Sequence, residues 1–92
     1  MPANAIVDNQ ETSQIEMQVD GLLAKIEYRR VGNVIYFIHT EVPPELEGQG
    51  IASQMARFAL DSAKRQGDKV VPLCPFVAAY IKRHPEYQDL VA

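Results

Sequence analysis

The spacing of apolar residues changes at Gly48-Gln49-Gly50, and this change constrains the fold more than any other feature. Before it, Ile15, Met17 and Val19 alternate with polar residues, which is typical of a half-buried strand. After it, apolar residues recur three and four positions apart from Ile51 to Ala63, which is typical of an amphipathic helix. The sequence therefore predicts strands followed by a long helix.

Turn signals divide the strand region into antiparallel segments. Asp20-Gly21 and Gly32-Asn33 separate apolar runs, and such pairs favour tight hairpins. The run from Val34 to Val42 is apolar on both faces, so we expect this strand to lie centrally in the sheet and to be covered on both sides. Pro43-Pro44 ends it because proline cannot donate to a strand ladder. The sequence also allows a short strand over residues 5–8.

The remainder predicts one more strand and one more helix. Gly67 is a favoured residue just beyond a helix end, and Lys69–Cys74 is a short apolar strand that follows the helical crossover. Pro75 fits the first turn of a helix over Phe76–Arg83, and Pro85 ends it. The predicted order β-β-β-(β)-α-β-α is an α+β fold, a mostly antiparallel sheet with two helices.

Size and charge exclude several classes of protein. The 92 residues suffice for one modest core, so we expect a single domain over residues 1–92. The net charge of −3 argues against nucleic acid as the main partner. The single cysteine cannot form an internal disulfide, the start does not read as a signal peptide, and no apolar run approaches the ~20 residues of a membrane span. We therefore expect a cytoplasmic protein that binds neither nucleic acid nor membrane.

The glycine loop before the long helix is a candidate anion site. The first amides of a helix lack internal partners and, with the helix dipole, attract phosphate. Ile51 and Ala52 follow the last glycine where a P-loop has Lys and Ser or Thr, which argues against that motif. The antiparallel strands before the loop argue against a dinucleotide-binding unit. An ordinary strand-to-helix turn explains the same glycines equally well.

Several segments, in this order and spacing, resemble the GNAT superfamily of N-acetyltransferases, specifically its very small single-domain group. They are His39-Thr40-Glu41-Val42-Pro43, Glu47-Gly48-Gln49-Gly50-Ile51-Ala52, Cys74-Pro75-Phe76 and Pro85-Glu86-Tyr87. Against the family's loop pattern Gln/Arg-x-x-Gly-x-Gly/Ala, Gly50 and Ala52 match, whereas Glu47 stands where Gln or Arg is usual. The resemblance covers nearly the whole chain and implies a minimal GNAT-like acyl-CoA N-acyltransferase fold.

The resemblance further implies that the chain binds acetyl-coenzyme A. Backbone groups of the strand ending near Val42 would pair with the pantetheine arm, whose amides can extend a strand edge. The amides of residues 49–53 would hold the pyrophosphate. The residues implied to bind the coenzyme are Val42, Gly48, Gln49, Gly50, Ile51, Ala52 and Ser53. Basic side chains later in the long helix would attract the nucleotide phosphates, although a solvated helix face explains them too.

Cys74 and His39 are the candidate catalytic residues. Cys74 ends the last strand at a predicted helix N-terminus, a position that makes a thiol more nucleophilic. Its candidate roles are nucleophile, acid for the departing thiolate or cofactor contact, and an inert buried thiol stays open as the alternative. His39 lies near the end of its strand and could serve as a general base, with a hydrogen-bonded structural histidine equally open.

Two further residues of the last helix have weaker claims. Tyr80 lies one residue from the position of the family's tyrosine acid, and one residue rotates a helical side chain by ~100°, which favours a core aromatic. His84 at the helix end is typical of a partner for the helix dipole. The single cysteine and two histidines show no ligand spacing, so no metal site is predicted.

The resemblance implies an acetyl-CoA-dependent N-acetyltransferase that moves an acetyl group to an unidentified amine. Larger members of the family carry helices after the first strand that build the acceptor pocket. Here strand follows strand, so the acceptor, a small molecule or a protein amine, is not predicted, nor is the oligomeric state. The alternatives are a non-catalytic coenzyme A-binding or regulatory module and a small interaction domain.

Overall fold

The computed structural model describes residues 5–92 and contains strands, two α-helices and two short 3₁₀ helices. The strands are β1 (Ile6–Asn9), β2 (Gln14–Val19), β3 (Leu22–Val31), β4 (Val34–Glu41) and β5 (Lys69–Pro72). The α-helices are α1 (Ile51–Gln66) and α2 (Pro75–Arg83), and the 3₁₀ helices are Pro44–Leu46 and Pro85–Leu90. The predicted order of elements is confirmed, including the short first strand, whereas neither 3₁₀ helix was predicted.

The strands form one five-stranded sheet in the order β1-β2-β3-β4-β5. Neighbours from β1 to β4 are antiparallel, and β5 pairs with β4 in parallel after the crossover through α1. The hairpin between β2 and β3 turns at Asp20 and Gly21, which both have positive φ. Tight hairpin turns of the I′ type require this conformation. The predicted α+β fold with a mostly antiparallel sheet is therefore confirmed.

The core lies between one face of the sheet, which we call the inner face, and the helices. The alternating apolar residues of β2 are buried there, as their spacing predicted, and so is the apolar side of α1. Phe37, Met55 and Leu60 are among the largest side chains that are almost completely inaccessible. Burial of this kind contributes about 25 cal/mol for each Å² of apolar surface removed from water. The helices and the sheet therefore stabilise each other through this layer.

The sequence predicted that the strand now labelled β4 is covered on both faces, and this prediction is wrong. β3 occupies the middle of the sheet, and β4 lies between β3 and the edge strand β5. Ile35 and Phe37 are buried on the inner face, but Ile38 is 42% exposed and Tyr36 is only half-buried. The core residues of α1 and α2 pack with those of the inner face, so the other, outer face of β4 meets solvent despite its apolar side chains.

A β-bulge in β4 decides which of its last residues face the core. The register between β3 and β4 shifts by one residue between Phe37 and His39, and Ile38 is the extra residue. An extra residue of this kind reverses the alternation of faces beyond it. Thr40 consequently turns towards the core, where its hydroxyl contacts the buried side chain of Cys74. His39 is exposed on the outer face.

Two partly buried tyrosine–aspartate hydrogen bonds join segments that are distant in the sequence. The Tyr28 hydroxyl donates to Asp8 and the Tyr87 hydroxyl donates to Asp61, each at 2.6 Å. Desolvation, followed by the neighbouring carboxylate, raises the pKa of Tyr28 and of Tyr87 from 10.0 to about 12. Because the folded-state pKa is raised, the stabilising contribution is complete below pH 10 and is lost as the pH rises through about 12.

We expect difference titration to detect this shift directly. The titration curve of Tyr28→Phe or Tyr87→Phe is subtracted from that of the unchanged chain. The difference is the tyrosinate absorbance of the replaced residue, and it should develop near pH 12. The measurement is ultraviolet absorbance against pH, with circular dichroism to show that the chain is still folded. A missing absorbance that develops near the ordinary pKa of 10.0 would contradict the two hydrogen bonds.

Candidate functional site

A groove of about 230 Å³ opens between the end of β4, the glycine loop and the first turns of α1 and α2. It gathers every residue that the family resemblance implies for the coenzyme except Gln49, whose side-chain amide donates to the Glu45 carbonyl at 3.5 Å. The lining residues are Val42, Leu46, Glu47, Gly48, Gly50, Ile51, Ala52, Ser53 and Phe76. We call this the coenzyme groove, and the role of each lining residue stays a prediction.

The backbone at the start of α1 presents free amides to the coenzyme groove. Gly50 caps the helix with φ 74° and ψ 18°, and the Gln54 amide makes a 3.0 Å bond to its carbonyl. The preceding helical amides have no partner within a helix, and no described side chain caps them. A Cβ built on Gly50 meets no atom within 4 Å, so glycine is needed for the left-handed conformation rather than for space. These amides can therefore receive an anion.

The last part of β4 has an open edge beside the coenzyme groove. The pairing of β4 with β5 stops at Phe37, where the Cys74 amide still donates to the Phe37 carbonyl at 2.8 Å. Beyond this point β4 is paired only with β3 as far as Glu41, and Val42 then lines the groove. An extended ligand with amide groups can add to such an edge as a further strand. The two strands thus separate where the resemblance places the pantetheine arm.

Cys74 lies at the point where β4 and β5 separate. It is the N-cap residue of α2 and is 3% exposed, and its Sγ atom is 3.1 Å from the Thr40 hydroxyl. Either atom of this pair can be the donor. Cys74 is not among the lining residues of the coenzyme groove, whereas Phe76, two residues later, is. Its chemical role stays a prediction.

His39 lies on the other side of the sheet from Cys74. It pairs with Glu27 on the outer face, where Lys25 contacts the carboxylates of Glu27 at 3.1 Å and Glu41 at 3.6 Å. The bulge before it is the physical reason for this orientation. The structure therefore does not bring the two catalytic candidates together, and the role of His39 as a base stays a prediction.

This geometry agrees with a comparison against known families. The model of a family described as GCN5-related N-acetyltransferases matches residues 14–90. The chain belongs to this family. The matched span contains four of the strands, both α-helices and every residue that lines the coenzyme groove. The predicted membership of the GNAT superfamily is confirmed.

Relatives of this GNAT chain include the Protein NATD1 of vertebrates. The human and mouse proteins are each 36% identical to it over 64 residues, a match that covers 68% of this chain. The same match covers only 57% of the human and 58% of the mouse protein, so the chain corresponds to less than two thirds of each relative.

A solved structure supports the fold over the whole chain. The NMR solution structure of a GCN5-like protein from Staphylococcus aureus, described as a candidate N-acetyltransferase, superposes with a TM-score of 0.76. The match covers 100% of this chain and 91% of the Staphylococcus aureus chain, at 27% sequence identity. The predicted minimal GNAT-like fold is confirmed.

Tyr80 is a core aromatic of the GNAT fold, as the helical geometry favoured. It is 5% exposed, and its ring packs against those of Phe76, His84 and Tyr87. The His84 ring stacks on it at 3.9 Å, with Nδ1 2.8 Å from the Tyr80 carbonyl near the end of α2. A histidine that contacts a carbonyl at the C-terminal end of a helix is placed to interact with the helix dipole, as expected for His84.

A second groove of about 380 Å³ lies further along the same two helices. Arg57 follows Ser53 by one helical turn and Tyr80 follows Phe76 by one turn, so the second groove continues the direction of the first. Arg57 and Lys64 bring cationic side chains to it, and Asp61 and Glu86 bring carboxylates. Over residues 5–92, no cluster of three or more potential metal ligands is found, and no helix is long and apolar enough to cross a membrane.

Some residues of the site were not predicted individually. Thr40 is the hydrogen-bond partner of Cys74, and Phe76 and Leu46 add to the apolar lining of the groove. Thr40 and Phe76 stand within the segments that carry the family resemblance, so that signal included them without giving them a role. Leu46 lies between two glutamates and is 2% exposed. Its isolation as an apolar residue among charged ones was the signal that could have identified it from the sequence.

Proposed function

We propose that this chain is an acetyl-CoA-dependent N-acetyltransferase that moves an acetyl group to an amine. The observation that carries the proposal is the position of the free amides of α1 beside the open edge of β4, within one groove. The amides suit a diphosphate, and the open edge suits the peptide-like amides of pantetheine. Membership of the GCN5-related family supports the same ligand.

The two grooves suggest a direction for the bound coenzyme. The diphosphate would lie on the amides at the start of α1, and the pantetheine arm would follow residues 38–42 towards the end of β5. The nucleotide would extend towards the second groove, whose lining holds the cations Arg57 and Lys64 together with the carboxylates Asp61 and Glu86. The thioester would then lie where β4 and β5 separate, near Thr40 and Cys74.

The chain's own groups have defined tasks in this proposal. Acetyl-coenzyme A supplies an acetyl group activated as a thioester, which the neutral acceptor amine attacks while the carbon–sulfur bond breaks. Backbone amides at the open edge of β4 would stabilise the carbonyl oxygen as it becomes negative. Cys74, as acid, would give its proton to the departing thiolate, and the proton released by the amine would restore it. His39 lies on the other face of the sheet, so a role as the base would need an acceptor amine that binds on that face.

The placement of the candidate catalytic residues supports a second function, a coenzyme A-binding module without catalysis. Cys74 is 3% exposed, and His39 faces away from it on the outer face. A buried thiol and a distant imidazole can both be structural. The proposed acceptor class stays broad, a small-molecule or protein amine, and the single cysteine supports the cytoplasm as the proposed location.

A binding assay followed by a transfer assay tests both functions. Acetyl-CoA should raise the midpoint of thermal unfolding, because a ligand that binds only the folded state stabilises it. No shift at millimolar acetyl-CoA would contradict both functions. Where binding occurs, release of free thiol in the presence of an amine panel, from small amines to lysine peptides, should exceed background. Background release with every amine would instead support the binding module.

A further inference from the structure

Glu47 is the charged member of the coenzyme groove. The other lining side chains are apolar or, for Ser53, neutral, and the first turn of α1 carries no acidic or basic side chain. Arg57, one turn later, lines the second groove instead, with its Nε atom 3.9 Å from Asp61. The groove that suits a diphosphate is therefore lined by free amides and one carboxylate, without a cation among its lining residues.

The backbone holds Glu47 firmly at this place. Its amide donates to the Pro44 carbonyl at 3.2 Å, and it directly follows Leu46, which is 2% exposed in the core. Gly48, in a left-handed conformation, follows it and begins the loop. The residue is exposed and lines the groove, so its negative charge lies beside any anion that enters there.

We propose that Glu47 sets the selectivity of the groove by repelling the diphosphate of ligands that enter it. This inference rests on the proposed function, in which the groove holds the diphosphate of the coenzyme. Two like charges within several ångströms at a protein surface repel measurably, and salt screens the repulsion. Acetyl-CoA and its product coenzyme A carry the same phosphates, so Glu47 weakens the hold on both and favours release of the product.

The test compares Glu47→Gln with Glu45→Gln by calorimetric titration at low ionic strength. Glu45 is an exposed carboxylate two residues away, in the 3₁₀ helix, and it does not line the groove. We expect Glu47→Gln to lower the Kd of coenzyme A and of dephospho-coenzyme A by about fivefold and to leave pantetheine unchanged. Glu45→Gln should change each Kd by less than about twofold, and added salt should reduce the gain in Glu47→Gln.

The outcomes separate this inference from the function on which it rests. If coenzyme A binds the unchanged chain but Glu47→Gln gains no affinity, the selectivity role is wrong and the coenzyme groove still stands. An equal gain for pantetheine would also overturn it, because pantetheine carries no phosphate. If neither the unchanged chain nor the variants bind coenzyme A, both the inference and the proposed function are wrong.

Discussion

A Cys74→Ala variant is expected to lose at least about 100-fold in kcat for acetyl transfer while keeping its Kd for acetyl-CoA. The physical reason is the position of the thiol, where β4 and β5 separate, with its Sγ atom 3.1 Å from the Thr40 hydroxyl. Proton transfer by a positioned group typically contributes 10²–10⁴-fold, as an order of magnitude. The thiol does not line the coenzyme groove, so its removal should spare binding.

Two measurements make this prediction sharp. Thermal unfolding of Cys74→Ala shows whether the loss of a buried sulfur has destabilised the chain, since that alone costs about 1 kcal/mol. Thr40→Val removes the hydroxyl that contacts the thiol and keeps a similar volume, so its kcat should fall in the same direction by a smaller factor. Full turnover by Cys74→Ala would remove the thiol from the mechanism and leave it a core residue.

Gly50→Val is expected to raise the Kd of acetyl-CoA by at least about tenfold and to lower stability by about 2 kcal/mol. Gly50 has φ 74°, a left-handed conformation in which a β-branched residue is strongly disfavoured. The backbone would move to relieve the strain, and the free amides of the first turn of α1 would leave the groove. A domain with a total stability of about 5–15 kcal/mol should still fold.

Gly67→Val is the matched control for this effect. Gly67 lies at the other end of α1 with φ 75°, and a Cβ built there also meets no atom within 4 Å. Its substitution should cost a similar free energy of unfolding and leave the Kd of acetyl-CoA unchanged. Gly50→Asn should keep most of the affinity, because asparagine tolerates the left-handed region. Equal affinities of Gly50→Val and the unchanged chain would contradict a role for these amides in binding.

The sequence predicted those parts of the fold that depend on regular spacing. The alternation in β2 and the helical spacing after Ile51 each agree with the observed burial, because they reflect one apolar face against one core. The same reasoning was wrong for β4. Its outer face carries Ile38 and Tyr36, and apolar character alone does not say whether a second layer of structure covers them.

The candidate site was predictable where it depends on the backbone and not where it depends on the bulge. Gly48 and Gly50 marked the loop because glycine tolerates the positive φ that both adopt. The bulge at Ile38 depends on cross-strand pairing and has no signature among the neighbouring apolar residues. The orientations of His39 and Thr40 follow from it, so sequence reasoning selected the histidine and gave Thr40 no role.

Amide chemical-shift mapping with acetyl-CoA tests the central claim most directly, because it reports which backbone groups meet the ligand. We expect the largest changes at residues 38–42 on the open edge of β4, at residues 48–53 in the loop and first turn of α1, and at Phe76. Amides of β2 far from the groove should change little. Changes confined to the outer face of the sheet, or none at saturating acetyl-CoA, would contradict the coenzyme groove.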